Sequence, residues 1–265
     1  MTTTARWDMH VHSRYSWDGH AESTIDALSA AAARHGLAGI AITDHVDCPC
    51  SQRDQREVGR ADLKTRARDL AQVRQSPVTV LSAVELGEPH LKPAEANDLR
   101  HRHGLQFVIG SVHSVVYQRD RVPVEHLGAL LDPVVLMDYY LDEVLQMLDV
   151  RADIDVVGHL GYPLRSAGRL PNLNAGLIAK MREIVSRTTR DDIAIEINAR
   201  DPRLFYDMLW TAVPEIENVT VTIGSDAHRL DGIENHSVSG VRQELHRRGF
   251  RPHPTQQGRL VATSG

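Results

Sequence analysis

The sequence predicts a single-domain α/β barrel built from seven strand–helix units. Three observations support this. Short runs dense in Val and Ile alternate with helical stretches along the chain. Those runs lack sustained polar alternation, so they fit parallel strands covered by helices on both sides. No linker or low-complexity segment divides the 265 residues, a length that one α/β barrel fills.

Strands are expected near residues 6–12, 37–44, 78–85, 107–113, 154–159, 193–199 and 219–225. The first helix is expected over 22–35, opening on Glu22-Ser23-Thr24 and ending at Gly36, a residue suited to the left-handed position past a helix end. A charged amphipathic helix follows over 58–75, then one over 93–103 with Pro93 in its first turn. The long stretch 123–150 should be split by Pro133. Helices over 172–188, 202–213 and 235–248 complete the alternation.

With 42% hydrophobic residues, the chain can bury a full core as one unit spanning 1–265. The net charge of −5, with acids and bases interspersed, argues against nucleic acid as a partner. No apolar run approaches the roughly 20 residues needed to span a membrane. The N-terminal segment lacks the apolar stretch of a signal peptide. Two cysteines, in Cys48-Pro49-Cys50, make no disulfide framework, so the expected compartment is the cytoplasm. They read as loop thiols rather than as a zinc site, which normally takes four ligands.

The chemistry lies where the strands end. Asp8-Met9-His10-Val11-His12 is followed by Asp18, Asp44-His45, Glu85, His113, His159 and Ser225-Asp226-Ala227-His228. Residues two apart on a strand share a face, so His10 and His12 project together. Single histidines at strand ends are usually hydrogen-bonded side chains. Glu85 is harder to explain that way, because it follows Thr79-Val80-Leu81-Ser82-Ala83-Val84 and carboxylates are rarely buried unpaired. A whole set on one barrel rim, where such folds build their sites, points to several metal ions. The remaining histidines (His20, His35, His90, His101, His103, His126, His236, His246 and His253) read as exposed loop or helix-face residues.

In order and spacing this set resembles the PHP (polymerase and histidinol phosphatase) superfamily, over residues 8 to about 230. The resemblance implies a distorted seven-stranded (β/α) TIM-like barrel carrying two or three divalent ions. It implies one ion held by His10, His12, Glu85 and Asp226, and a second sharing Glu85 with His113 and His159. A third would sit near Asp18, His45 and His228. Asp18 departs from the pattern, because many members carry His there. Mixed imidazole and carboxylate ligands suit Zn, Mn or Fe.

The reaction this implies is hydrolysis of a small phosphate ester by a hydroxide bridging two metals and attacking phosphorus. Asp18 or His228 is the expected general acid, and Asp44 an orienting group behind the ligands. Arg165 and Arg200, on rim loops, are the expected phosphate contacts, chosen over Arg169, Arg203 and Arg229. Tyr117, just past His113, is a further candidate substrate contact. Tyr139-Tyr140-Leu141-Asp142-Glu143 and Glu196-Ile197-Asn198 are similar to the histidinol phosphate phosphatases, which makes L-histidinol phosphate the favoured substrate. The alternatives are a PHP phosphoesterase acting on nucleotides or other small phosphoesters, a metal-dependent amidohydrolase, and a non-enzymatic module.

Overall fold

The structure is a computed structural model that describes residues 6–47, 62–73, 76–150, 152–214, 218–253 and 256–262. Cys48 and Cys50, and the ends of the helix expected over 58–75, lie outside the described residues.

In chain order the elements are β1 (Trp7–Val11), α1 (Ile25–Arg34), β2 (Gly39–Ile42), β3 (His45–Asp47), α2 (Leu63–Gln72), β4 (Thr79–Gly87), α3 (Pro93–His103), β5 (Phe107–Ser111), β6 (Ser114–Tyr117) and β7 (Asp120–Pro123). There follow α4 (Val124–Leu127), α5 (Pro133–Asp149), β8 (Val156–Val157), α6 (Pro163–Ala167), α7 (Ala175–Arg190), β9 (Ala194–Asn198), α8 (Arg203–Ala212), β10 (Thr220–Gly224), α9 (His236–Arg247), β11 (Phe250–Pro252) and β12 (Arg259–Ala262).

The expected parallel strands form one curled sheet in the order β1-β2-β4-β5-β8-β9-β10. β3 resumes the second strand after a break at Thr43-Asp44 and stays parallel to β4. Strands β1, β2, β5, β9 and β10 are buried along their whole length, as a sheet covered by helices requires. The sheet curls until its ends meet, but only loosely. Val11 bridges Ala227, Asp226 N donates to His10 O (2.8 Å), and His12 N donates to Ala227 O (2.8 Å). A C-terminal hairpin, β11–β12, lies antiparallel along β10. The sequence reading had no strand there, nor the β6–β7 hairpin, nor α6.

Local chemistry explains the helix starts. Thr24 caps α1 through Ala27 N (3.2 Å), and Gly36 takes φ 67° just past its end. Asp132 caps α5 and Pro133 is its first residue, so the stretch 123–150 is split as expected, into α4 and an α5 that the proline begins. The helices cover the sheet with apolar faces: Leu136, Met137 and Tyr140 of α5 and Leu177, Met181 and Ile184 of α7 share a core with Ile195 and Val221. No helix among the described residues is long and apolar enough to cross a membrane.

One irregularity matters for the site. The β1–β2 register shifts between Asp8 and Val11. Met9 packs with Ala41, Ala83 and Ile109, whereas Val11 packs with Ile40 and Ile42 against α1. The extra residue flips the pleat, so His10 and His12 face the same side as Ala83 and Glu85. Bulges re-aim side chains in this way beside functional sites.

Candidate metal centre

Glu85, on β4, is the hub. Its Oε2 lies 3.2 Å from His10 Nε2, 3.4 Å from His12 Nε2 and 3.1 Å from His45 Nδ1. Its Oε1 lies 2.7 Å from His159 Nε2 and 3.0 Å from His113 Nε2. Asp226 Oδ1 stands 3.5 Å from His12 Nε2 and 3.8 Å from His10 Nε2. On the outer side, Asp18 Oδ2 lies 2.8 Å from His228 Nε2 and 3.5 Å from His45 Nε2. All nine expected ligands converge. His45 sits between two groups, with one ring nitrogen toward Glu85 and the other toward Asp18.

Each strand end delivers its residue for a local reason. Asp226 occupies the left-handed region at φ 54°, a strained conformation for a non-glycine residue, and this turns its carboxylate back over β1. Gly224 must stay bare, because a Cβ there would come within 2.1 Å of Glu196 Oε1 and 2.5 Å of His10 Cβ. Asp44 points away from the cluster, as expected: it accepts from Ser13 N (2.6 Å), Ser13 Oγ (2.8 Å) and Arg66 Nη1 (3.3 Å), which ties down the loop after β1.

These residues fit a polynuclear metal site. His10 Nε2 and His12 Nε2 face each other at 2.9 Å beside Glu85, so three basic atoms converge on one small volume. The outer ring nitrogens of His10, His12 and His113 are already occupied. His10 Nδ1 donates to Glu196 Oε1 (2.7 Å), and His113 Nδ1 faces Asp47 Oδ1 (3.4 Å). Ser16 Oγ donates to Asp18 Oδ1 (3.0 Å), which leaves it to accept from His12 Nδ1 (3.1 Å). A carboxylate can only accept, so these partners set the tautomer, and once an imidazole gives up its second proton its inner nitrogen offers a lone pair. Ligand atoms lie within 4.8 Å of one another in the groups His12-Asp18-His45-His228, His10-His12-Glu85 and His45-Glu85-His113.

The electrostatics agree. Burial alone would lower His10, yet Glu196, Glu85 and Asp226 hold it well above the ordinary histidine value. Against the same burial, Glu85 and Asp47 push His113 up to about 10. His12 goes the other way, down to about 4, because burial and the neighbouring His45 and His228 oppose another charge. Glu85 stays ionised well below its usual range despite burial, held there by His45, His10 and His113. In Asp18 the hydrogen bonds from His228 and His45 outweigh burial and keep the carboxylate low. The carboxylates thus demand positive charge, which protons supply here and metal ions would supply better.

Above the hub opens a cleft of about 390 Å³ lined by Trp17, Tyr162, Arg165, Arg200, Glu125 and Ser166 together with all the expected ligands but His10 and His12. Arg165 spans Asp201 Oδ1 (2.7 Å, from Nε) and Asp226 Oδ2 (2.7 Å, from Nη1). Arg200, half-exposed, reaches toward Asp226 Oδ1 (3.5 Å). Arg169 and Arg229 lie outside the cleft on exposed Asp132 and Asp231.

Tyr117 needs correction as a substrate contact. It lies on β6, which runs out into the hairpin, and its ring packs edge-on against Tyr139 at 5.9 Å; it does not line the cleft. Tyr162 takes that place, its ring 4.9 Å from His159, with its hydroxyl donating to Glu125 Oε2 (2.5 Å). His90 is also corrected. Rather than facing solvent, it is buried with Nε2 2.8 Å from Glu143 Oε2.

Glu196 was missed as a functional residue. One oxygen takes the His10 ring and the other takes His159 N (2.7 Å), so it aligns ligands from two strands. Its signal was present, as a lone acid between Ile195 and Ile197 in a buried strand.

The PHP domain family profile matches residues 8–200. A segment of 47 residues is 57% identical to a protein of Syntrophotalea carbinolica described as a probable phosphatase, covering 17% of this chain. The match spans only 19% of that relative. In three dimensions the chain is similar to histidinol phosphate phosphatase from Lactococcus lactis subsp. lactis, solved with zinc, L-histidinol and phosphate. There the TM-score is 0.77 at 21% identity, covering 94% of this chain and 95% of that one. A Listeria monocytogenes protein described as a candidate histidinol phosphatase gives a TM-score of 0.71 at 11% identity, covering 88% and 99%.

Proposed function

The chain belongs to the PHP domain family, and on that premise we propose that it is a metal-dependent phosphomonoesterase whose favoured substrate is L-histidinol phosphate. One observation carries the reading: Glu85 gathers imidazoles from four strand ends directly beneath a cleft walled by Arg165 and Arg200.

Two or three divalent ions, of a kind suited to mixed imidazole and carboxylate ligands such as Zn, Mn or Fe, fit the set. His10, His12, Glu85 and Asp226 would hold one, Glu85 with His113 and His159 a second, and Asp18, His45 and His228 a third. Bound there, they would activate water near neutral pH and neutralise phosphoryl oxygens.

The protein's own groups do the rest. Arg165 and Arg200 bind the phosphoryl oxygens of a dianionic ester, for which a guanidinium fork is well shaped. With two ions bound and the third position empty, Asp18 Oδ2 and His228 Nε2 share a hydrogen bond at the cleft wall, where a proton for the departing alkoxide can be held. Glu196, Ser16 and Asp47 keep the imidazoles aligned. Tyr162 and Glu125 bound the part of the cleft beyond the phosphoryl group, and the carboxylate suits the amine of histidinol.

The test is phosphate release after reconstitution with Mn²⁺, Zn²⁺ or Fe²⁺, over a panel of L-histidinol phosphate, nucleotides and sugar phosphates. Selectivity for histidinol phosphate supports the reading. Activity on nucleotides keeps the reaction and replaces the substrate. Silence across the panel with metals bound abandons the phosphatase reading.

A further inference from the structure

Asp201 belongs to none of the groups above. It follows β9 and is buried, and its two oxygens do different work. Oδ1 accepts from Arg165 Nε (2.7 Å), while Oδ2 accepts from Gly161 N (3.0 Å) and Tyr206 OH (2.7 Å). Tyr206 is itself fixed, since its hydroxyl accepts from Asn198 N (2.8 Å). The carboxylate is therefore locked to three elements, the loop after β8, the end of β9 and helix α8, before it touches the arginine.

Arg165 is consequently held at two of its three nitrogens. Nε is on Asp201 and Nη1 is on Asp226. Nη2 is buried and has no hydrogen-bond partner among the described residues. An unsatisfied buried guanidinium N–H is costly, on the order of 1–3 kcal/mol, and is not left so without a reason. The residue lines the cleft, and its guanidinium lies over the Tyr162 ring at 5.1 Å. A free Arg side chain samples many rotamers. Here two carboxylates have removed that freedom before any ligand arrives.

We propose that Asp201 is a positioning residue that makes Arg165 a preset clamp for a tetrahedral oxyanion, with Nη2 reserved for one of its oxygens. The proposal rests on the phosphatase reading for its choice of anion. It adds that affinity for the phosphoryl group is built by Asp201, a residue outside the expected ligand set, and is transmitted only through Arg165.

The test is a double-mutant cycle on the metal-reconstituted protein, with inorganic phosphate as the probe and its Kd read by calorimetry. Asp201→Asn should weaken phosphate binding about tenfold, a loss of about 1.4 kcal/mol, with metal content unchanged. In an Arg165→Lys background the same change should do nothing further. Unchanged affinity in Asp201→Asn overturns the proposal, as does an equal loss in both backgrounds, which would mean that Asp201 acts through the fold at large. If Asp201→Asn does not fold, Tyr206→Phe decides. It removes only the hydroxyl anchor and should weaken phosphate binding about threefold, whereas no change refutes the clamp. A wild-type protein that binds phosphate yet hydrolyses no ester in the panel would sink the phosphatase reading and leave the clamp standing.

Discussion

His10 Nδ1 and Glu196 Oε1 lie 2.7 Å apart in a fully buried pair, and the other oxygen of the same carboxylate takes the backbone N–H of His159. One acid from β9 thus sets the angle of a ring on β1 and the position of a ligand after β8. Replacing Glu196 with Gln keeps the size but weakens the hold on His10. Bound metal affinity and kcat/KM should each fall about 10- to 100-fold. Metal content by mass spectrometry, beside kinetics with metal in excess, checks this, and wild-type metal affinity in the variant would remove Glu196 from its role.

Glu85→Ala deletes the one group shared by both inner ligand sets. The protein should remain folded by circular dichroism while losing most bound metal and activity. Near-normal turnover would refute the bridging assignment.

Metal uptake should strengthen with rising pH. In the metal-free protein, carboxylates raise His10 and His45 and push His113 up to about 10, so at neutral pH His113 carries a proton that a cation must displace. The sign for folding is opposite. His113 stabilises the metal-free fold fully below its ordinary value of 6.5, and that contribution is lost as pH rises through about 10. Chelator competition at pH 6, 7 and 8 should show affinity rising about tenfold per unit for each proton displaced. A flat profile contradicts the protonated cluster.

Gly224→Ala would drive a methyl into Glu196 Oε1 and His10 Cβ. Overpacking of this kind costs about 1–3 kcal/mol, and here it acts on the ligand ring as well. Thermal melts should show the loss, and metal affinity should drop with it.

Tyr117→Phe should leave kcat/KM within about twofold, because the ring packs on Tyr139 rather than in the cleft. A loss beyond tenfold would return Tyr117 to the substrate.

The barrel and the residues that gather around Glu85 were legible because both leave one-dimensional traces. Buried parallel strands read as Val and Ile runs, and a carboxylate closing such a run has few innocent explanations. Glu85 is the clearest case. What could not be read was pairing between distant parts of the chain. Glu196 carries the same trace as Glu85, but only the curled sheet brings it against His10. His90 looks like a loop residue until α5 supplies Glu143. Tyr117 is a candidate by its nearness to His113 in the chain, but the β6–β7 hairpin carries it off the rim. The β11–β12 hairpin was invisible because Arg251 and Pro252 replace the apolar residues that mark a strand.

Among the described residues, β1 and the end of β10 are joined by the single bridge of Val11 with Ala227, the backbone hydrogen bonds beside it, and the bonds of Ser225 to Asp8 and His10. His10 and His12 stand on one side of that seam, Asp226 and His228 on the other. An ion shared across it would be a staple between the first and last barrel strands, closing nearly the whole intervening chain into a loop. Stripping the metal should therefore open the molecule along this line first. Hydrogen exchange would then quicken at the seam amides of His12 and Asp226 while β4 and β5, paired on both sides, stay protected.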